Sequence, residues 1–130
     1  KKGVERRMRE YIQAKLNEIT SIDSGNFIPD GMIEIGTTYF GYTLQEDYQN
    51  SDMSKNDHLR VSIIGFVIRK NKSSENTLSI IDDASKQIKE KLKELNFKVS
   101  LQDITLSDDI RKIKITGYVY YNEINNKLIF

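Results

Sequence analysis

The chain lacks cysteine and tryptophan, and it has one histidine and one proline among its 130 residues. Without cysteine it can form neither disulfides nor thiolate metal sites. No apolar run approaches the roughly 20 residues that a transmembrane helix needs, so we expect no membrane span. The 20 basic and 19 acidic residues leave a net charge of +1, whereas dedicated nucleic-acid-binding proteins usually carry a clear basic excess. These absences argue against a disulfide-rich secreted domain, a membrane protein and, more weakly, a nucleic-acid-binding protein.

The residues that are present fit one folded domain. A length of 130 residues suits a single domain, and 38% hydrophobic with 30% charged residues is typical of a globular protein. We therefore predict one domain over residues 1–130. Residues 121–130 are predicted to form a C-terminal tail, which ends in Leu128-Ile129-Phe130.

A strand followed directly by a helix, within residues 58–95, is the strongest pattern in the sequence. Residues 58–70 predict a strand, and this strand is apolar on both faces from Ile63 to Ile68. Residues 77–95 predict an amphipathic helix. The helix would cover one face of the strand. The other face would need cover from the chain's own tail or from a second subunit.

The remaining elements follow from hydrophobic periodicity and from glycine, proline and polar clusters. They are a helix over 4–20, a loop over 21–30, one or two strands within 32–44, a polar loop over 45–57, and strands over 97–101 and 110–121. The order is α-β-β-α-β-β. It predicts an α+β fold with an antiparallel or mixed four-stranded sheet and two helices packed on one face.

No residue pattern predicts a catalytic, cofactor-binding or metal site. His58, the only histidine, is interpreted as an exposed loop residue beside Asp57. Adjacent helix residues such as Asp82 and Asp83 point about 100° apart, so they cannot form one carboxylate dyad. The glycines within 36–41 lack a phosphate-binding pattern, and no helix follows them directly. We expect a protein that is not an enzyme and holds no cofactor.

Two basic or aromatic clusters remain open to more than one interpretation. The first helix is either a solvated basic face or a patch for an acidic partner. One face of the last strand either stacks nucleic-acid bases, as some sheet surfaces do, or is buried against another subunit. The residues concerned are Lys1, Lys2, Arg6, Arg7 and Arg9 in the helix, and Lys112, Lys114, Tyr118 and Tyr120 in the strand.

The element order resembles a known family. It runs from an amphipathic helix through Ile33-Glu34-Ile35-Gly36 and a polar loop to the strand His58-Leu59-Arg60-Val61-Ser62-Ile63-Ile64-Gly65-Phe66-Val67-Ile68-Arg69. A helix with Ile80-Ile81-Asp82-Asp83-Ala84 and Ile88-Lys89-Glu90-Lys91-Leu92 follows, and then a strand pair. Over about residues 4–121 this layout is similar to the tail terminator (tail completion) proteins of tailed bacteriophages and phage-tail-like particles.

The resemblance implies a structural role in the virion. Such proteins form a ring, typically of six copies, that caps the growing tail tube at its head-proximal end and stops its polymerisation. The implied partners are further copies of the chain, the tail tube protein, and the head–tail connector or, in a contractile tail, the sheath protein. Assembly would take place in the host bacterial cytoplasm, and DNA would only pass through the ring lumen. The resemblance implies no catalytic residue.

A closed ring needs two different patches on each subunit. We expect the outward face of the sheet to supply part of one patch and the 45–57 loop to project toward a neighbour or the tube. The open alternatives are a head completion or head–tail joining protein, a small nucleic-acid-binding domain, and a small-ligand or enzymatic domain. The residues expected at the interface are Ile64, Phe66, Tyr118 and Tyr120 on the sheet and Glu46, Asp47 and Tyr48 in the loop.

Overall fold

The computed structural model describes residues 2–49, 58–70, 77–104 and 110–120. Two helices and a five-stranded sheet place the protein in the α+β class, as predicted. The elements are α1 (Lys2–Leu16), β1 (Asp23–Gly25), a 3-10 turn (Asp30–Met32), β2 (Thr38–Gln49), β3 (His58–Lys70), α2 (Thr77–Glu94), β4 (Lys98–Asp103) and β5 (Ile110–Tyr120).

The sheet is mixed, with the strand order β1-β2-β3-β5-β4. The pair β1–β2 is parallel, and the other three pairs are antiparallel. The predicted count of four strands is wrong, because β1 lies inside the predicted 21–30 loop. Its sequence, Asp23-Ser24-Gly25, has little strand propensity, so pairing with residues 39–41 is what makes it a strand.

Alternate residues of the three long strands face the two helices and form the core. On β3 these include Val61, Ile63 and Val67, and their partners on β2 and β5 continue the same layer. Burying one large aliphatic side chain stabilises the fold by about 1.5–3 kcal/mol, gross. The helices contribute Met8, Ile12 and Leu16 from α1 and Ile81, Ala84, Ile88 and Leu92 from α2.

Gly65 shows how tightly the helix side of the sheet is packed. A Cβ at this position would lie 2.6 Å from the Phe40 ring and 2.8 Å from the carbonyl oxygen of Gly41. The Phe40 ring is fully buried and stacks on the Tyr42 ring, with the centroids 5.3 Å apart. The missing side chain at Gly65 therefore gives an aromatic ring its place in the core.

Several predicted boundaries are wrong for local reasons. Helix α1 ends at Leu16 rather than at residue 20, although Ile19 remains buried in the following turn. Residues 32–37 are turns rather than strand, since Gly36 has a φ of 87°. Strand β2 continues through residues 45–49, which were predicted to be loop, because they pair with 58–62. The rest of the predicted 45–57 loop, at 50–57, lies outside the described residues, as do residues 105–109 and the predicted 121–130 tail.

Candidate functional site

The outer face of the sheet, on the side away from the helices, is the candidate site. Antiparallel register places Ile64 between Thr43 and Thr116 on this face, and it places Phe66 between Gly41 and Lys114. Tyr118 and Tyr120 belong to the same face, because β5 residues alternate with buried Ile115 and Val119. The four sheet residues expected at an interface therefore share one face.

One half of this face is covered by the chain itself. The segment 26–33 crosses it, and the Phe27 ring packs on the Phe66 ring with centroids 5.9 Å apart. An Asp30 oxygen lies 3.7 Å from Lys112 Nζ, which in turn lies 4.6 Å from the Phe66 ring centroid. We call this part, residues 39, 41, 66, 68 and 112, the covered half. Phe66 thus has its cover within its own subunit.

Gly41 allows the crossing segment to lie directly on the sheet. A Cβ here would stand 3.2 Å from the carbonyl oxygen of Asn26 and 3.2 Å from Phe27 Cα. Such contacts are tighter than ordinary packing, so a side chain would push the segment outward. The glycine explains how backbone, rather than side chains alone, covers this half of the face.

Hydrogen bonds hold the start of the crossing segment. The Tyr39 hydroxyl donates to the carbonyl oxygen of Asn26 at 2.7 Å. The Arg9 guanidinium donates to the Asn26 side-chain oxygen and, at 3.3 Å, to the carbonyl oxygen of Tyr42. It also lies 4.6 Å from the centroid of the Tyr42 ring. Arg9 is therefore a structural residue, which neither of the two interpretations of the basic helix foresaw.

The fully buried Tyr42 extends this network to β1. Its hydroxyl donates to Gln13 Oε1 at 2.7 Å, and Gln13 Nε2 donates to the Ser24 hydroxyl at 2.7 Å. Burial raises the pKa of the Tyr42 hydroxyl, although the charge of Arg9 acts in the opposite direction. The hydroxyl therefore stays protonated and keeps its role as donor. Helix α1 thereby fixes β1, from which the crossing segment begins.

The other half of the outer face is open among the described residues. It forms a shallow depression of about 680 Å³ between β2, β3, β5 and β4. Ile64 and Tyr118 are half-buried there, whereas Lys98 is exposed. None of the described residues that line the depression is acidic. We call this the open half; its principal residues are Thr43, Arg60, Ser62, Ile64, Lys98, Ser100, Thr116 and Tyr118.

The open half combines aromatic and cationic groups. Lys98 Nζ lies 5.7 Å from the centroid of the Tyr118 ring. The Tyr118 and Tyr120 rings meet edge to face at 6.2 Å. Arg60 stands opposite Tyr120 in the register of β3 and β5. Such a surface offers apolar area with positive charge, which suits a partner that presents apolar side chains together with carboxylates.

The expected loop residues lie in a strand instead. Glu46, Asp47 and Tyr48 belong to β2 and stand opposite Val61, Arg60 and Leu59 in the register. Glu46 is half-buried and, by alternation with buried Leu44, lies on the helix side. The prediction that these three residues project from a loop is therefore wrong. The side chains of residues 47 and 48 are outside the described part.

A second exposed feature was missed by the sequence analysis. Residues 32–35, here called the knob, begin at the last residue of the 3-10 turn, and Met32 and Ile35 are 69% and 67% exposed. Exposed Glu34 lies between them, while Ile33 is buried and anchors the turn. The flanking Pro29-Asp30-Gly31 and Gly36 were the available signals, since such residues mark turns rather than strands.

The described residues give no sign of metal chemistry. None of their His, Asp or Glu side chains form a group of three that could hold a metal ion. Neither α1 nor α2 is long and apolar enough to cross a membrane.

Comparisons with known proteins leave the site to be interpreted from its geometry. No protein-family model matches the chain, and no curated protein shows significant similarity to it.

Proposed function

We propose that this protein is the repeating subunit of a ring that caps a phage tail tube, as a tail terminator does. The open half of the outer face carries the proposal. It is a concave surface whose lining includes half-buried Ile64 and Tyr118, and apolar area with a polar tip is typical of subunit interfaces. The element order that resembles tail terminators supplies the identity of the assembly.

The two exposed features of the subunit support a ring rather than a symmetric dimer. A ring uses two different patches on each subunit, whereas a two-fold dimer uses one patch twice. The open half is a depression that carries Lys98, whereas the knob is an exposed turn that carries Glu34, so the two patches differ in shape and charge. Subunits that join one patch to the other can continue until the ring closes.

The test is assembly on tubes. The purified protein is examined alone and with tail tube protein by light scattering and negative-stain electron microscopy. We expect rings at tube ends, of six copies as is typical of the tail terminators that the element order resembles, and tubes that stop growing once capped. The exchange Tyr118→Ala should weaken ring formation, whereas Gln87→Ala, on the exposed side of α2, should not. A protein that stays monomeric and ignores tubes would contradict the proposal.

A head completion or head–tail joining protein is the nearest neighbour of this function. It would also form rings, but it would bind the head connector and leave tube length unchanged. Adding connector and tube protein separately to the same preparation distinguishes the two roles, since a terminator shortens tubes without the connector.

One observation favours a second candidate, a single-stranded nucleic-acid-binding domain. Lys98 lies over the Tyr118 ring, and aromatic rings beside cations can stack bases and neutralise phosphates. This function predicts a gel shift at low salt that weakens steeply as salt rises, because phosphate contacts release counterions. Lys98→Glu should then abolish the shift. Absence of any shift at low salt removes this candidate.

A further inference from the structure

We infer that the knob of one subunit docks into the open half of the next subunit. This inference rests on the proposed ring and names the two patches that would form its repeating contact. The occupant of the open half is thus a second copy of the chain, and the contacting residues are Met32, Glu34 and Ile35 on one side and Ile64, Lys98 and Tyr118 on the other.

The covered half provides the pattern for this contact. There, one segment of the chain places an aromatic ring on Phe66 and a carboxylate, that of Asp30, near Lys112. This half of the face is thus covered by an apolar side chain, that of Phe27, and by a carboxylate at the start of the 3-10 turn, that of Asp30. The crossing segment continues into the knob, with which it shares residues 32 and 33.

The open half presents the same two kinds of group beside the covered half. Tyr118 and half-buried Ile64 offer an apolar floor, and exposed Lys98 offers a cation. The knob carries the complement, with two apolar side chains on either side of exposed Glu34. Charge and polarity therefore match between the two patches.

A subunit's own knob cannot reach its open half. The Gly36 amide donates to the carbonyl oxygen of Lys70 at 2.8 Å, which fixes the knob beside the end of β3. Ile64 stands six residues earlier in this strand, about 20 Å away at 3.3 Å per residue. The contact must therefore join two molecules. Because the two patches differ, it continues from subunit to subunit until a ring closes.

Disulfide trapping tests the contact, since a chain without cysteine gives no background. Ile35→Cys and Ser100→Cys are made as separate variants, both at exposed positions. We expect a disulfide-linked dimer when the two are mixed under oxidation and none from either alone. One chain carrying both changes should give a ladder that ends at the copy number of the ring. The pair Ile35→Cys with Gln87→Cys is the matched control and should give no product.

Charge reversal gives a second, independent readout. Glu34→Lys and Lys98→Glu should each weaken association by about tenfold or more, because like charges would then face each other. The chain with both exchanges should recover most of the loss. Unchanged association in both single variants would overturn the inference.

The outcomes separate this inference from the proposed function. Rings that form on tubes without an Ile35→Cys to Ser100→Cys product would overturn the docking contact and leave the ring proposal standing. A chain that neither assembles nor binds tubes would overturn both. Loss of a low-salt gel shift in Lys98→Glu, with no trapped dimer, would assign the open half to nucleic acid and also overturn the contact.

Discussion

The two halves of the outer face have related chemistry and different surroundings. In the covered half, Phe66 packs against Phe27, and Lys112 lies near Asp30 of the same chain. In the open half, Tyr118 and Lys98 lie beside each other at the surface of a depression. Each half of the face thus has an aromatic ring beside a lysine. In the covered half, a second ring and a carboxylate from the same chain lie over them.

This difference indicates which groups stabilise the folded subunit and which groups contribute to association between subunits. A group covered by its own chain contributes to the stability of the subunit. A group of the same kind that a second copy covers contributes to assembly and leaves the isolated subunit nearly unchanged.

Phe66→Ala and Tyr118→Ala form the sharpest pair. Removing the Phe66 ring should lower the free energy of unfolding by about 2 kcal/mol, since it takes away apolar contact with Phe27 and leaves a gap. Tyr118→Ala should cost less than about 1 kcal/mol, because this half-buried ring lies at the surface of the open depression, beside Lys98 and Tyr120. Denaturant unfolding measures both, and equal losses would contradict the division into two halves.

The two variants should rank in the opposite order when association, rather than stability, is measured. Tyr118→Ala should weaken assembly about tenfold or more, as removal of a central aromatic residue at an interface often does. Phe66→Ala should leave assembly close to wild type as long as the subunit is folded. Sedimentation velocity over a concentration series reports both effects.

Gly41→Ala tests the crossing segment directly. The added methyl group would lie 3.2 Å from backbone atoms of Asn26 and Phe27. Overpacking of this kind costs about 1–3 kcal/mol, and because the segment can move slightly we expect the lower end of that range. Gly31→Ala is the control, since a Cβ there meets nothing within 4 Å. A thermal unfolding scan that finds no difference between the two variants would contradict the described path of the segment.

Asp30→Asn should have a small effect on stability. The Asp30–Lys112 pair is partly exposed and its closest described approach is 3.7 Å, and such pairs contribute about 0–1 kcal/mol. The loss should shrink as salt is added, because screening weakens exposed charges. Asp82→Asn on the exposed side of α2 serves as the control. A loss that did not depend on salt would point to a packing role instead.

A charge network lies on the helix side of the sheet, opposite the candidate site, and it should make the free energy of unfolding weakly dependent on pH. Lys91 donates to Glu18 at 2.7 Å, and this bond lowers the pKa of the Glu18 carboxyl from its ordinary value and raises the pKa of Lys91. Lys15 donates to Glu94 at 2.7 Å, and this hydrogen bond lowers the pKa of the Glu94 carboxyl. The network therefore stabilises the fold most where the carboxylates and the lysines are all charged, that is, around neutral pH.

The sign follows from the direction of each shift. A carboxylate with a lowered pKa stabilises the fold above its ordinary pKa, and this contribution is lost as the pH falls through the folded-state value. A lysine with a raised pKa loses its contribution as the pH rises through its folded-state value. Glu18→Gln should thus flatten the acid side of the stability curve. Association through the open half should not follow this pH dependence of stability. If association and stability changed in parallel with pH, the division between folding contacts and association contacts would be contradicted.

Elements with strong periodicity were predictable from the sequence. Helix α2 and strand β3 lie where the pattern placed them, and Tyr118 and Tyr120 lie on the outer face of β5, opposite the buried Ile115 and Val119. These patterns are local, since the spacing of apolar residues within one element is enough to identify the element and its buried face.

The site depends on contacts that no local pattern encodes. Strand β1 exists because it pairs with β2 and because Gln13 holds Ser24. The covered half exists because Phe27 meets Phe66 far along the chain. Residues 45–49 are polar, yet long-range pairing with β3 makes them strand. The sequence therefore predicted which residues share the outer face, but not which half the chain itself covers.

The central claim is that a second copy covers the open half in the assembly, and lysine labelling tests it most directly. Lys98 in the open half and Lys86 on the outer side of α2 are both exposed in the subunit. Amine labelling of dilute monomer and of assembled rings, followed by mass spectrometry, compares their accessibility. We predict that Lys98 becomes protected on assembly while Lys86 stays reactive. Equal labelling of Lys98 in monomer and ring would contradict the account.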